Sequence, residues 1–284
     1  MPLSRHTAVA ALCATALTPF TAAEVLQVPT DHDTVQAAID AASSGDTVIL
    51  APGTYHERID FKGKAITVCS SDPSDPMVVL ATILDGTDLG GSVVTFATGE
   101  GPDSVLNGLV ITGGSALNGG GIRCVDASPL IRGSVLSRNS GGDGGAVYAV
   151  GGDPTLEACT VSNNSAGNGG GLFAFNGATP TLVSCHVVGN RATEGGGGIR
   201  SISAVPVILD SVVCGNDLID EELHPLALPD IQGPFTDGGG NMVGPHAPPP
   251  GAIPPGCAPD LNQDGLVDGA DLGLLIAAWG ACAP

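Results

Sequence analysis

Within twelve residues near the C-terminal end stand Asp260, Asn262, Asp264, Asp268 and Asp271, at positions 1, 3, 5, 9 and 12 of one run. Gly265 falls at position 6, where a sharp turn is needed, and Leu266 at position 7 offers its main-chain carbonyl. Oxygen donors at alternate positions let a short loop wrap one hard cation. This set suits Ca²⁺, with Asp268 binding directly or through a water. Four carboxylates held this close repel one another unless a cation neutralises them, so order in the loop should depend on the metal. A solvated acidic turn is the competing reading. Leu272, Leu275, Ile276 and Trp279 then mark one face of a short helix, an apolar surface for a protein partner or for the preceding domain. Cys257 and Cys282 bracket the segment. A disulfide between them would stabilise a piece too small for its own core by roughly 3 kcal/mol; two unpaired thiols are the alternative.

Elsewhere the residues that could do chemistry are sparse. The best set is Arg123, Tyr148 and Arg200, with Asp126 and Asp153 following the first two closely. A carboxylate beside a basic residue is the minimum for acid–base work, so these five are the catalytic candidates, against a reading as scattered surface charge. Arg132 and Glu157 read as a solvated ion pair of little worth. His186 reads as a surface histidine standing alone. No nucleophile triad, phosphate loop or His/Cys metal spacing is present.

The elements that would carry these residues follow from an internal repeat. Pro129, Pro154, Pro180 and Pro206 are separated by 25, 26 and 26 residues, and Asn139, Asn164, Asn190 and Asn216 keep the same intervals. A glycine run precedes each proline, at Gly119-Gly120-Gly121, Gly144-Gly145, Gly169-Gly170-Gly171 and Gly195 to Gly198. Apolar columns share the register: Ile122, Val147, Phe173 and Ile199 before the proline, Ile131, Leu156, Leu182 and Ile208 just after it. Leu136, Val161, Val187 and Val213 follow, with Ile111 one repeat earlier. A period near 25 residues built from short alternating segments predicts a solenoid, and the glycines exclude helical repeats. One coil of a parallel β-helix, with three short strands, fits each repeat. Equivalent residues then stack ~4.8 Å apart. The column Arg123, Tyr148 and Arg200 faces outward, the asparagines form an internal ladder at a turn, and Arg132 lies beside Glu157. Cys159 and Cys185 share an inward column with Leu109, Ser134 and Ser211, which stacking turns into a disulfide or a ladder of small buried residues.

With this register in place the sequence resembles right-handed parallel β-helix proteins of the pectin-lyase-like class. The phrases GGAV and SNN at 144–147 and 162–164, and GGGL and VGN at 169–172 and 188–190, look like polymorphic outer-membrane protein repeats. The segment VPTDHDTVQAAIDAASSGDTVILAPGTYHERIDF at 28–61 is similar to the opening of pectinesterase-like and copper-site-maturation β-helix proteins. Within it Val35, Ala38, Ile39 and Ala42 lie on one helical face ending before Gly45, a helix placed to plug the open end of the stack. The resemblance covers roughly residues 25–244 and concerns fold. The polygalacturonase-like phrases NTD, DD and GHG and the pectinesterase GQD are absent. Residues 257–284 resemble one half of a dockerin, with Asp271 where an EF-hand places a bidentate Glu. Dockerins carry two such loops and a Ser-Thr pair before the last Asp; here one loop is visible and Gly269-Ala270 replaces the pair. Calcium binding is implied, docking to a cohesin is not.

Composition sets the outer limits. The 284 residues include 43 Gly and 22 Pro, 43% are hydrophobic and only 3% aromatic, which excludes a disordered tail. A net charge of −20 argues against nucleic acid as a partner, since Lys and Arg supply that affinity. Arg5 and His6, the apolar run Ala8 to Leu17, Pro19 and Thr21-Ala22-Ala23 read as a secretory signal peptide, too short to span a membrane. Its removal takes Cys13 and leaves seven cysteines, so at least one is free or pairs outside the chain. The predicted organisation is a signal at 1–23, an all-β right-handed parallel β-helix at 24–244, a Pro-rich linker at 245–256 and a dockerin-like calcium module at 257–284. The favoured function is an exported, extracellular or cell-surface scaffold for attachment or polysaccharide binding, without catalysis. The alternative is a polysaccharide-degrading lyase, esterase or glycoside hydrolase.

Overall fold

The structure, a computed structural model, describes residues 22–218 and 230–244. The calcium loop, Cys257, Cys282 and the linker lie outside them, as does the export signal but for its last two residues.

Short parallel strands stack into a β-solenoid of about 8 turns. One middle coil runs through Leu130–Arg132 in sheet I, Val135–Ser137 in sheet II, Ser140–Asp143 in sheet III and Val147–Val150 in sheet IV. It then re-enters sheet I at Thr155–Glu157. Sheets I to IV hold nine, eight, five and seven strands. A coil therefore has four strands where the sequence predicts three. The extra one is hard to read because its inward column is Ala116, Gly141, Ala166 and Ala192, too small to give a hydrophobic alternation. Glycines mark the turn from sheet III to sheet IV because coils touch there backbone to backbone: a Cβ on Gly145 would run into the Gly170 carbonyl.

The core is the stacked interior. Ile131, Leu156, Leu182 and Ile208 on sheet I and Leu136, Val161, Val187 and Val213 on sheet II are each at most 1% exposed. These are the columns predicted from the proline intervals. One predicted column needs correction: Ile122, Val147, Leu172 and Ile199 stack inward, and Phe173 faces out beside Tyr148. The turn from Asn176 to Thr179 is one residue longer than its equivalent Gly151 to Asp153, so counting back from Pro180 lands one position late.

Two ladders hold the corners. Between sheets II and III, the Oδ1 of Asn164, Asn190 and Asn216 accepts both the main-chain N–H and the Nδ2–H of the asparagine one coil earlier, Asn139 on Asn164 at 3.0 and 3.1 Å. Asn164 bonds to Asn190, and Asn190 to Asn216, in the same way. The last rung is Asp230, whose Oδ1 accepts the N–H and Nδ2–H of Asn216 at 2.7 and 2.9 Å. A carboxylate only accepts, so it takes both donors and passes nothing on. Between sheets I and II, Leu109, Ser134, Cys159, Cys185 and Ser211 form the second ladder, ended by Asn241 Oδ1 on the Ser211 N–H. Cys159 and Cys185 are free thiols. Each donates to main-chain carbonyls, Cys159 to Ile131 and Glu157 at 3.4 Å, which selects the small-residue ladder over the disulfide.

Helix α1 (Val35–Ala41) buries Val35, Ala38 and Ile39 against the first coil. The next coil clamps it by charge. Glu57 accepts from the Val35 and Gln36 N–H groups at the helix start, and Lys64 Nζ donates to the Ile39, Asp40 and Ala42 carbonyls at its end, matching the dipole at both ends. Helix α2 (Pro76–Leu80) packs on the strand Thr82–Asp85 of sheet II. No helix among the described residues is long and apolar enough to cross a membrane.

Candidate functional site

Parallel pairing on sheet IV sets Arg123, Tyr148, Phe173, Arg200 and Gln232 in one outward column. Two residues along, Val125, Val150, Phe175 and Ile202 form a second. The Tyr148 and Phe173 rings lie 5.8 Å apart with planes 18° from parallel, and Phe173 and Phe175 lie 6.0 Å apart at 19°. Phe173 is almost covered, whereas Phe175 and Ile202 are 39% and 37% exposed. Three near-parallel rings thus form one apolar platform, with an arginine on either side of the Tyr148–Phe173 pair in its main column. Aromatic faces carry negative quadrupole density, so the platform suits ligands that present C–H groups to it and anionic groups to the arginines.

Burial first, and Asp143 next, raise the Tyr148 phenol above its ordinary range, with Arg123 opposing; the group stays an O–H donor at neutral pH. At the far end, Arg200 Nε and Gln232 Oε1 are buried without a hydrogen-bond partner among the described residues. Sheet III edges the platform with polar groups, Asn168 Nδ2 donating to Asp143 Oδ1 at 3.0 Å and to Glu194 Oε2 at 2.9 Å.

The structure brings together three of the five catalytic candidates. Arg123, Tyr148 and Arg200 share the face, while Asp126 and Asp153 sit in the corner turns beyond the strand ends. Asp126 adopts φ 49° and its carboxylate fills the space above Gly151. Asp153 Oδ1 accepts the N–H and hydroxyl of Thr179 at 3.0 and 2.5 Å, so it serves the turn. Arg132 and Glu157 do pair, at 2.9 Å, both well exposed. His186 is not the solitary surface histidine expected: it is half-buried on sheet II, burial lowers its pKa, and it has an interaction partner. Among the described residues no cluster of three or more His, Cys, Asp or Glu could hold a metal. Phe173, Phe175 and Gln232 were missed, because the long turn at Asn176 to Thr179 hides the phenylalanines' register and residues 217 to 230 interrupt the last repeat.

No protein-family model matches the sequence, and no curated protein does either. Among the solved structures to which the chain is similar are two pectin methylesterases. One is a pectin methylesterase variant in complex with a hexasaccharide, 12% identical with a TM-score of 0.44, covering 76% of this chain and 70% of that chain. The other is pectin methylesterase PemA from Erwinia chrysanthemi, 14% identical with a TM-score of 0.44, covering 75% of this chain and 69% of that chain. Function has to be argued from this chain's own surface.

Proposed function

We propose that this chain is an exported β-helix protein that binds acidic polysaccharide on the outer face of sheet IV without cleaving it, and that residues 260–271 of its tail hold one Ca²⁺. The observation that carries the binding reading is the Tyr148–Phe173–Phe175 platform between Arg123 and Arg200. Only 3% of the chain is aromatic, so three rings on one face is a concentration that neither the core nor the turns require. Uronate units offer both a C–H face for the rings and a carboxylate for the guanidinium groups. The case against turnover is geometric. Asp153 is committed to Thr179, and Asp143 and Glu194 to Asn168, so these three carboxylates serve the fold, whereas glycoside hydrolysis needs a carboxylate pair flanking the bond.

The test is calorimetric titration of the mature protein with uronate oligosaccharides and with neutral glucan oligosaccharides of equal length. Binding of the acidic series alone is expected, weakened on the order of tenfold by Arg123→Ala or Arg200→Ala, as for loss of one charge-assisted hydrogen bond. Equal affinity for both series, or insensitivity to Tyr148→Ala, would remove the proposal. The same mixtures assayed for methanol, unsaturated uronides and new reducing ends address the enzymatic alternative, and steady product formation would replace binding by catalysis.

A further inference from the structure

Residues that point outward from a solenoid ordinarily keep contact with water, as Leu130, Thr155 and Thr181 do on sheet I. Sheet II departs from this. Its outward column Val110, Val135, Thr160, His186, Val212 and Met242 includes Val135 at 2% and Thr160 at 1% exposure. In the adjacent outward column Ser162 and Cys214 are 4% and 2% exposed. The Thr160 hydroxyl is buried with no hydrogen-bond partner among the described residues. The described helix on this sheet, α2, packs on Thr82–Asp85, two strands from Val135 and three from Thr160.

The cysteines point to what covers it. Cys214 is disulfide-bonded, whereas Cys69, Cys124, Cys159 and Cys185 are free. Of the chain's 8 cysteines only Cys13, Cys257 and Cys282 remain as partners, and Cys13 falls in the segment expected to leave with the export signal. The described chain ends at Gly244, just after Met242–Val243, the last strand of sheet II, and Met242 pairs with Val212, two residues from Cys214. Twelve residues of Pro-rich linker reach about 37 Å if extended as polyproline II. Five strand spacings back along the sheet to Val110 take about 24 Å.

We infer that the C-terminal segment 257–284 folds back over the outer face of sheet II, its apolar residues Leu272, Leu275, Ile276 and Trp279 covering Val135 and Thr160, and that Cys214 is bonded to Cys257 or Cys282. This removes one cysteine from the bridge expected between Cys257 and Cys282. The bond joins two Sγ atoms, while both thiol protons and two electrons pass to an oxidising disulfide that leaves as two thiols. The tail is then a strap fixed to the solenoid, on a different sheet from the aromatic platform.

Non-reducing proteolysis of the full-length mature protein, with free thiols blocked beforehand, reads the pairing by mass spectrometry. A peptide joining Cys214 to Cys257 or Cys282 is expected. Cys257 joined to Cys282, an alkylated Cys214, or Cys214 joined to a second chain would overturn the inference. Trp279 is the chain's one tryptophan and reports the covering separately. Its emission should be blue-shifted and shielded from acrylamide in the native protein, and should move to the red in Cys214→Ser or on reduction. A native spectrum matching that of the guanidine-unfolded chain would show the face to be covered by something else.

Discussion

Asn164→Ala cuts the middle of the internal ladder, and its cost can be worked out bond by bond. Asn164 is 1% exposed. Its Oδ1 accepts the Asn139 N–H at 3.0 Å and Asn139 Nδ2–H at 3.1 Å, and its Nδ2 donates to the Leu136 and Ser162 carbonyls and to Asn190 Oδ1. Truncation strands one buried N–H outright and strips donors from carbonyls that no water can reach. At about 1–3 kcal/mol for each unsatisfied buried group, the loss comes to roughly 2–5 kcal/mol. For a domain of this size that lowers the melting temperature by roughly 4–20 °C. Arg132→Ala is the control, since it removes an exposed ion pair worth ~0–1 kcal/mol in the coil before. Thermal melts followed by far-ultraviolet circular dichroism compare the two directly. If Asn164→Ala melts within 2 °C or so of Arg132→Ala, the ladder is ornament and this reasoning fails.

Three further outcomes are expected. His186 is held below its usual pKa by burial, so the unfolded chain binds its proton first as pH falls. Stability should therefore drop as pH goes down through about 6.5, and His186→Leu should flatten that part of a denaturation series run against pH. Burial pushes the Cys69 thiol up to about 11 and raises Cys124 and Cys159 as well, so iodoacetamide at pH 8 should label none of the three until denaturant is added; fast native labelling of Cys124 would contradict its burial. Calorimetric titration of the full chain with Ca²⁺ should show one site, lost in Asp260→Ala and Asp264→Ala, and an unchanged isotherm in either variant would dismiss the loop.

What the sequence reveals here depends on whether a column has a side chain large or polar enough to recur visibly. Asn139, Asn164, Asn190 and Asn216 do, and so do the Ile131 and Leu136 columns, which is why the coil period and the ladder could be read directly. Ala116, Gly141, Ala166 and Ala192 do not, so the fourth strand passed unseen. Asp230 ends the ladder only 14 residues after Asn216, where the repeat has lost its interval. The aromatic platform lay one residue out of register, since a count anchored on Pro180 assigns the inward place of Leu172 to Phe173. Function was least legible, because a binding face depends on neighbours one coil apart, and a single misplaced residue dissolves it.

The way the asparagine ladder ends has a consequence for how such a molecule can change in length. Every rung hands two donors to the next coil, so each coil presents an unfinished pattern that only another coil, or a carboxylate, can complete. Asp230 is that full stop. Between Gly114 at one end and Asp230 at the other, the rungs are interchangeable, and growth or shrinkage is permitted only in whole coils of 25 or 26 residues, each about 4.8 Å tall. A gain of one residue must be absorbed locally, as the bulge at Arg191–Gly195 absorbs one opposite Ala166 and Asn168. Length in this chain is therefore a counted quantity, like the number of links between two clasps, and duplication of a coil would lengthen every outward face without disturbing the corner beneath it.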